Sequence, residues 1–311
     1  MVKKRHFIIV IAILFAGLVV GSFLDLQINQ AIFSNGNMFG IIMAAFGTLP
    51  CYATLAFLGG GLFGSTMKRK DLHIALRVLC YVIAVGCYGI SIYLGSKDIP
   101  SVNGFNNEKL RIPALLASAV IFAGIAYLGF RVCFKQDKKE LWALSLVMIF
   151  VFAIGLVPVS YFIKMFIHRP RFRYVVNSGE IPFHNWWETF KGYKEYLATN
   201  PVINGVEITK EEFKSFPSGH SGSAAILMMI LPYFTVFFNK LKGKEVMLFY
   251  IGFAWALLMM FSRMLVGAHY LSDTCMGSLI VMAVYFIAHV FAKSKGWIFK
   301  EQVEPQLEEA K

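Results

Sequence analysis

The stretch FPSGHSGSAAILMMILPYFTVFF, residues 216–238, joins a short polar segment to an apolar run of membrane-spanning length. It predicts a helix that begins near Ser218 and then enters a lipid bilayer, which about 20 apolar residues can cross. This helix carries His220 at its membrane boundary. Ionisable side chains at such depths are costly and usually mark function, so this histidine is a candidate functional residue.

Seven further apolar runs accompany this one, and the 311-residue chain is 57% hydrophobic and only 15% charged. A soluble domain of this size would carry about 25% charged residues, so the composition excludes a soluble main body. The sequence predicts an all-α, polytopic membrane bundle of about eight transmembrane helices. The predicted spans cover residues 7–25, 38–64, 74–95, 113–134, 141–167, 219–238, 246–266 and 270–292.

The basic residues predict how the bundle is oriented. The formal net charge is +12, and eighteen of the 30 Lys and Arg residues lie in short segments on the side that holds both termini. The positive-inside rule places this side, and therefore both termini, in the cytoplasm. Topology alone explains these charges, so no nucleic-acid partner is predicted. The first span exceeds the apolar region of a signal peptide, about 7–15 residues, and we interpret it as uncleaved.

Five ionisable residues within or at the ends of the predicted spans are expected to lie at the same depth in the membrane. Four different predicted spans carry them, and the number of crossings places all of them on the outer, extracytoplasmic face. Taken singly, a lysine there can reach up to the interface and an aspartate can cap a helix, but their coincidence at one level indicates a site. These residues are Lys164, His220, Arg263, His269 and Asp273.

The stretch KMFIHRPRFR, residues 164–173, is rich in cations. Pro170 disfavours helical angles at the residue before it, so the fifth span is predicted to end near His168. In an extended segment, alternation would place Arg169, Arg171 and Arg173 on one face. Guanidinium groups suit phosphate oxygens, and a lysine adds a point charge. The alternative is a basic belt that contacts lipid headgroups.

The segment around His220 is predicted to bind an anion. Ser218 can cap the helix, and Gly219 lets an anion approach the backbone closely. Unpaired N–H groups and the positive end of the helix dipole lie at the same place. His220 could then donate a proton to the bound group. The alternative is a capped helix with a bystander histidine.

The stretch SRMLVGAHYLSD, residues 262–273, places His269 and Asp273 four residues apart. On a helix they would share a face and hydrogen-bond, which would fix the tautomer of the histidine and make its other nitrogen a better nucleophile. Gly267 allows a tight turn that brings Arg263 back beside His269.

These three stretches together resemble the three-part signature of the type 2 phosphatidic acid phosphatase family, whose superfamily includes bacterial acid phosphatases and vanadium haloperoxidases. The first stretch departs from the pattern, because Phe172 stands where the family usually has proline. The matching positions are Lys164 with Arg171, Pro217-Ser218-Gly219-His220, Ser262-Arg263, His269 and Asp273.

The resemblance implies a membrane lipid phosphatase that works through a phosphohistidine without a metal or other cofactor. In this chain His269 would attack phosphorus, Asp273 would orient it, and His220 would protonate the leaving oxygen and then activate water. The substrate would be a membrane lipid with a phosphate or diphosphate headgroup, such as phosphatidic acid, phosphatidylglycerophosphate or a polyprenyl pyrophosphate. The phosphate-binding residues would be Lys164, Arg171, Ser218, Gly219 and Arg263.

The resemblance also divides the chain into parts. Residues 1–140 would form four N-terminal transmembrane helices, two of them additional to the family core. Residues 141–292 would form the catalytic core with an external loop, 168–218, and residues 293–311 a cytoplasmic tail. The aromatic residues of the loop suit either a lid at headgroup level or the packing of a small subdomain. They are Trp186, Trp187, Phe190, Tyr193 and Tyr196.

Two other functions compete with hydrolysis. A lipid phosphotransferase would use the same residues with an alcohol or second lipid in place of water. A non-enzymatic transporter would need ionisable groups near the bilayer midplane and an internal repeat, neither of which the sequence shows. The oligomeric state is not predicted.

Overall fold

The computed structural model describes residues 2–101, 108–136, 138–157, 163–179, 181–199, 202–203 and 206–296. Within these residues, eight helical segments are long and apolar enough to cross a membrane, which confirms the predicted all-α polytopic bundle. Most of the predicted cytoplasmic tail, residues 297–311, lies outside the described residues. The spans are Lys4–Ile32, Met38–Lys68, Ile74–Ser96, Glu108–Gln136, Lys139–Leu156, Gly219–Phe237, Glu245–Leu265 and Leu271–Ser294.

Helices account for nearly all of the regular structure in the described part of the chain. The α-helices are α1 Lys4–Ile32, α2 Met38–Phe46, α3 Leu49–Lys68, α4 Ile74–Ser96, α5 Arg111–Gln136, α6 Lys139–Val157, α7 Lys164–Ile167, α8 Phe172–Ser178, α9 Tyr193–Thr199, α10 Gly219–Ile230, α11 Phe234–Phe237, α12 Glu245–Leu265 and α13 Leu271–Ser294. Short 3-10 turns cover Ile99–Ser101, Glu108–Leu110, Lys210–Phe213, Leu231–Tyr233 and Asn239–Leu241. One antiparallel ladder pairs β1 Val202–Ile203 with β2 Val206–Glu207.

The second span is not one continuous helix. It consists of α2 and α3, which are separated at Gly47-Thr48. Pro50 lies in the first turn of α3, where its missing N–H leaves no helical hydrogen bond unmade. Trp255 of α12 donates a hydrogen bond from Nε1 to the carbonyl oxygen of Gly47 at 2.9 Å, which uses a carbonyl that the break leaves free.

The fifth span is described in two parts. It was predicted over residues 141–167, and the structure has α6 over Lys139–Val157 and the turn α7 over Lys164–Ile167. Residues 158–162, between these two parts, lie outside the described residues, so the continuity of this span stays a prediction. The helical turn that contains Lys164 ends at His168, as predicted.

The helices that carry the predicted site pack against one another. α10 contacts α12, α13 and α6, and α1 runs along α13. α3, α4 and α5 form a second group, which joins the first through contacts of α3 with α6 and α10. The N-terminus of α10, the C-terminus of α12 and the N-terminus of α13 thus lie at the same end of the bundle.

The described part of the predicted external loop, 168–218, forms a small packed unit over this end. Its centre is Phe213, which is fully buried, and Phe190, Tyr193 and Tyr196 pack around it. These contacts agree with the second of the two alternatives predicted for the loop aromatics, the packing of a small subdomain. Trp187 remains 52% exposed.

Candidate active site

The Pro217–His220 segment is fixed to the start of α13. Ser218 caps α10, and its Oγ accepts hydrogen bonds from the N–H and hydroxyl of Ser221 at 3.4 and 3.0 Å. The N–H of Ser218 donates to the carbonyl oxygen of Asp273 at 3.0 Å. The cap is as predicted, while the contacts of Ser218 and Gly219 with a phosphate stay predictions.

A tight turn between α12 and α13 brings Arg263 back beside His269, as predicted. Gly267 has φ +63°, and a Cβ there would lie 2.8 Å from the backbone nitrogen of Arg173. The N–H groups of Ala268 and His269 donate to the carbonyl oxygen of Arg263 at 3.0 and 3.3 Å. Backbone hydrogen bonds therefore hold the loop that contains His269 against the last turn of α12, which contains Arg263.

The predicted shared helix face of His269 and Asp273 is wrong. α13 begins at Leu271, so His269 precedes the helix. Its Nδ1 lies 2.6 Å from the carbonyl oxygen of Ser215 and 3.7 Å from Oδ2 of Asp273, which is an ion-pair rather than a hydrogen-bond distance. A carbonyl only accepts hydrogen bonds, so Nδ1 carries the proton and the lone pair is on Nε2.

Asp273 is instead the centre of a buried polar cluster. Its Oδ2 accepts from the hydroxyl of Ser215 at 2.5 Å and from the N–H of Tyr270 at 2.9 Å, and the latter bond caps α13. Its Oδ1 accepts from Nη1 of Arg169 at 2.5 Å. Asp273 is thus connected to His269 in two ways: through Ser215, which bonds both residues, and through the ion-pair contact at 3.7 Å.

The three arginines of residues 164–173 do not share a face, contrary to the prediction. Arg169 is 1% exposed, and its Nη2 bonds Oδ2 of Asp25 at 2.9 Å. Arg171 occupies the N-cap position of α8 without a capping bond from its side chain, and Arg173 lies in the first turn, so the extended segment ends there. Both of the latter face Glu212, at 4.0 Å from Nη1 of Arg171 and 2.5 Å from Nη2 of Arg173.

Lys164, Arg171 and Arg263 supply the positive charge of the site. Nε of Arg171 and both Nε and Nη1 of Arg263 are buried and find no acceptor among the residues that the structure describes. Burial, followed by the charge of Arg171, lowers the pKa of Lys164 to about 7. A buried guanidinium N–H without an acceptor is costly, so these groups are suited to an anion.

The electrostatics keep His269 neutral. Burial lowers its pKa to about 3, and the positive charges of Lys164 and Arg171 act in the same direction, against the opposing effect of Asp273. His269 is 2% exposed. A neutral imidazole with a free Nε2 lone pair is a nucleophile or a base.

His220 faces a carboxylate that the sequence analysis did not single out. Its Nε2 lies 3.3 Å from the carbonyl oxygen of Ala44 and 3.6 Å from Oδ2 of Asp98. Burial raises the pKa of Asp98, against the charges of Lys97, Arg263 and Arg171. Asp98 thus lies within electrostatic range of both the histidine and the cations.

Comparison with known proteins identifies the family. The family model for the PAP2 superfamily matches residues 140–297, about half of the chain. The chain belongs to the PAP2 superfamily. Phosphatidylglycerophosphatase B of Haemophilus influenzae is 26% identical over 195 residues, which cover 59% of this chain and 78% of the relative. No solved structure matches the chain. The family and this relative together support a membrane lipid phosphatase.

Four polar contacts of the site come from outside the region that matches the PAP2 superfamily. Asp25 and Ala44 contact Arg169 and His220, Asp98 lies beside His220, and Asn29 donates from Nδ2 to the carbonyl oxygen of His269 at 3.1 Å. A lone acid in the apolar run of the first span was a signal for Asp25. Nothing in the sequence pointed to Ser215, whose carbonyl holds His269.

Proposed function

We propose that this PAP2 protein hydrolyses a phosphate or diphosphate ester of a membrane lipid through a phosphohistidine on His269. The observation that carries the proposal is a neutral, oriented imidazole beside cations whose N–H groups lack acceptors among the described residues. The roles of the residues follow from this arrangement and from the family.

In the first step Nε2 of His269 attacks phosphorus. A P–N bond forms, and the bond between phosphorus and the leaving oxygen breaks. His220 gives a proton to that oxygen, which leaves as an alcohol or a phosphate monoester. The donor is the imidazolium form of His220, which the carboxylate of Asp98 would stabilise; its Nε2–H is directed to Ala44, so Nδ1–H would give the proton to the leaving group.

The phosphorylated imidazole is positively charged, and Asp273 stabilises it. Its carboxylate lies 3.7 Å from Nδ1 and keeps Ser215 in place through the hydroxyl of that residue. The carbonyl of Ser215 holds the Nδ1 proton, so the ring does not turn during the step. Asp273 would thus orient the histidine and stabilise its positive charge, as the aspartate does in a Ser-His-Asp triad.

In the second step His220, now neutral, takes a proton from water as the water attacks phosphorus. The P–N bond breaks, inorganic phosphate leaves, and His269 returns to its neutral form. Lys164, Arg171 and Arg263 would hold the equatorial oxygens in both steps. Fixed charges of this kind do the work that a divalent metal does elsewhere, so the reaction is proposed to be metal-independent.

The substrate is proposed to be a phospholipid monoester such as phosphatidylglycerophosphate. The name of the Haemophilus influenzae relative supports this choice. The site lies at an end of the bundle, where a headgroup can enter while its acyl chains stay in the bilayer. The distribution of basic residues supports cytoplasmic termini and a site on the extracytoplasmic side.

The test is phosphate release by purified protein in detergent, with phosphatidylglycerophosphate, phosphatidic acid and a polyprenyl pyrophosphate compared in excess EDTA. The wild type is expected to release phosphate and to form an acid-labile phosphoprotein. His269→Ala is expected to abolish both. His6→Ala is a matched control, because His6 bonds the hydroxyl of Tyr250, away from the site.

Phosphate release by His269→Ala would refute the nucleophile. Loss of activity in EDTA with recovery in Mg²⁺ would refute metal independence. Transfer of the phosphoryl group to an added alcohol, without release of phosphate, would establish the phosphotransferase alternative instead.

A further inference from the structure

A chain of buried charges links the first span to the catalytic histidine. Oδ2 of Asp25 in α1 accepts from Nη2 of Arg169 at 2.9 Å, and Nη1 of Arg169 donates to Oδ1 of Asp273 at 2.5 Å. None of these three residues is more than 2% exposed. Asp273 in turn lies 3.7 Å from Nδ1 of His269. The guanidinium of Arg169 is therefore divided between two carboxylates.

Asp25 is held in place by the first turn of α13. The N–H of Ser272 donates to its Oδ1 at 3.0 Å, and the hydroxyl of Ser272 bonds its Oδ2. The same hydroxyl accepts from Nη1 of Arg169 at 2.9 Å. One turn along α1, Asn29 donates to the backbone carbonyl of His269. One face of α1 thus contacts both His269 and the residue before Asp273.

The charges of this cluster explain why a second carboxylate is present. Arg169 alone would neutralise Asp273, and the pair would offer little stabilisation to a positive imidazole. Asp25 restores one net negative charge to the group. A phosphorylated His269 then balances that charge within a buried region, where an uncompensated charge is costly.

We infer that α1 is a working part of the active site, in which Asp25 and Arg169 act as positioning residues that fix and charge-balance Asp273 for phosphoryl transfer to His269. This inference rests on the proposed function. It assigns a catalytic contribution to a span outside residues 140–297, the region that matches the PAP2 superfamily.

The experiment is Asp25→Asn in the full-length protein, measured by single-turnover formation of the phosphoprotein and by steady-state kinetics. The rate constant and kcat are expected to fall at least tenfold, because one unit charge is removed near the reacting group in a region with an effective dielectric constant of about 20. KM is expected to stay unchanged, since Asp25 does not touch the phosphate. The single-turnover rate constant does not depend on the fraction of folded protein. If Asp25 contributed only to the stability of the fold, this rate constant would stay unchanged.

Charge balance is tested by rescue. The double variant Asp25→Asn/Arg169→Gln removes the guanidinium together with its partner and leaves Asp273 as the net negative charge. It is expected to form the phosphoprotein faster than Asp25→Asn alone. Asp71→Asn is the matched control, because Asp71 pairs with Arg69 at the surface, and it is expected to behave as the wild type.

A wild-type rate constant in Asp25→Asn, or a double variant no faster than the single one, would overturn the inference. Should Asp25→Asn fail to fold, Ser272→Ala removes a hydroxyl that bonds both Asp25 and Arg169, without changing charge. It is expected to slow the same step several-fold, and an unchanged rate would equally overturn the inference. A wild-type protein that turns over substrate without any phosphoprotein would instead refute the proposed function.

Discussion

At the scale of single residues, Lys164 gives the site a dependence on pH. Burial comes first and the charge of Arg171 second in lowering its pKa to about 7, while Glu211 and Asp273 act in the opposite direction. A bound phosphate favours the ammonium form. KM for the lipid phosphate is therefore expected to rise as the pH increases through about 7, where the free enzyme loses this charge.

The control for this prediction is Lys164→Arg, which keeps its charge across the same range. Steady-state kinetics of both proteins between about pH 6 and pH 9 isolate the contribution of Lys164, because ionisation of the substrate affects the KM of both proteins equally. The KM of Lys164→Arg is expected to change less with pH. Parallel KM profiles for the wild type and Lys164→Arg would show that Lys164 does not bind the phosphate.

Sequence reasoning located site residues better than it oriented them. The spacing of the motifs predicted that His220, Arg263 and His269 meet at one end of the bundle, and the elements that carry them do so. The direction of Arg169 could not be predicted. Its partner, Asp25, is 144 residues away in the chain, and only the packing of α1 on α13 brings the two together.

At the scale of helices, the contact between α13 and the Pro217–His220 segment determines whether the motifs meet. A Cβ at Gly277 of α13 would lie 2.3 Å from the carbonyl oxygen of Ser218, so the backbones touch there. Gly277→Ala is expected to push the start of α10 away from Asp273. Overpacking of this kind costs about 1–3 kcal/mol, so both the melting temperature and kcat should fall.

Gly124→Ala in α5 is the matched control, because a Cβ there meets no described atom within 4 Å. Alanine is the better helix former by about 1 kcal/mol, so this variant should melt at the wild-type temperature or slightly above it. Thermal unfolding in detergent and phosphate release measure both effects. A Gly277→Ala protein with unchanged melting and activity would show that the close contact is not required.

Hydropathy predicted the number of spans but not the continuity of their helices. The break at Gly47-Thr48 escapes it because both sides of the break are apolar. Apolar composition reports which residues lie in the bilayer, whereas the hydrogen bond from Trp255 to Gly47 depends on packing with α12.

At the scale of the whole molecule, the two ends of the bundle use their basic residues differently. The end with both termini carries cations in short connections, as the positive-inside rule expects. At the other end, Arg169 and Arg173 pair with carboxylates, and Arg171 and Arg263 carry buried N–H groups that find no acceptor among the described residues. These cations are explained by the site, so they do not argue against an extracytoplasmic location.

The orientation can be tested with single introduced cysteines and a membrane-impermeant maleimide. All five native cysteines are buried, so the background labelling should be low. Glu188→Cys lies in the loop 168–218, where the side chain is 45% exposed, and Lys242→Cys lies in the exposed turn before α12. In intact cells or right-side-out vesicles, only the Glu188→Cys protein is expected to react.

Permeabilisation should then expose the Lys242→Cys protein, which serves as the matched control for the opposite end. Both variants should retain phosphatase activity, because neither side chain belongs to the site. The reverse labelling pattern would place the site in the cytoplasm, and the basic connections would then face outward against the positive-inside rule. Such a result would contradict the proposed orientation but leave the chemistry of His269 intact, since the buried charges that support it lie within the protein.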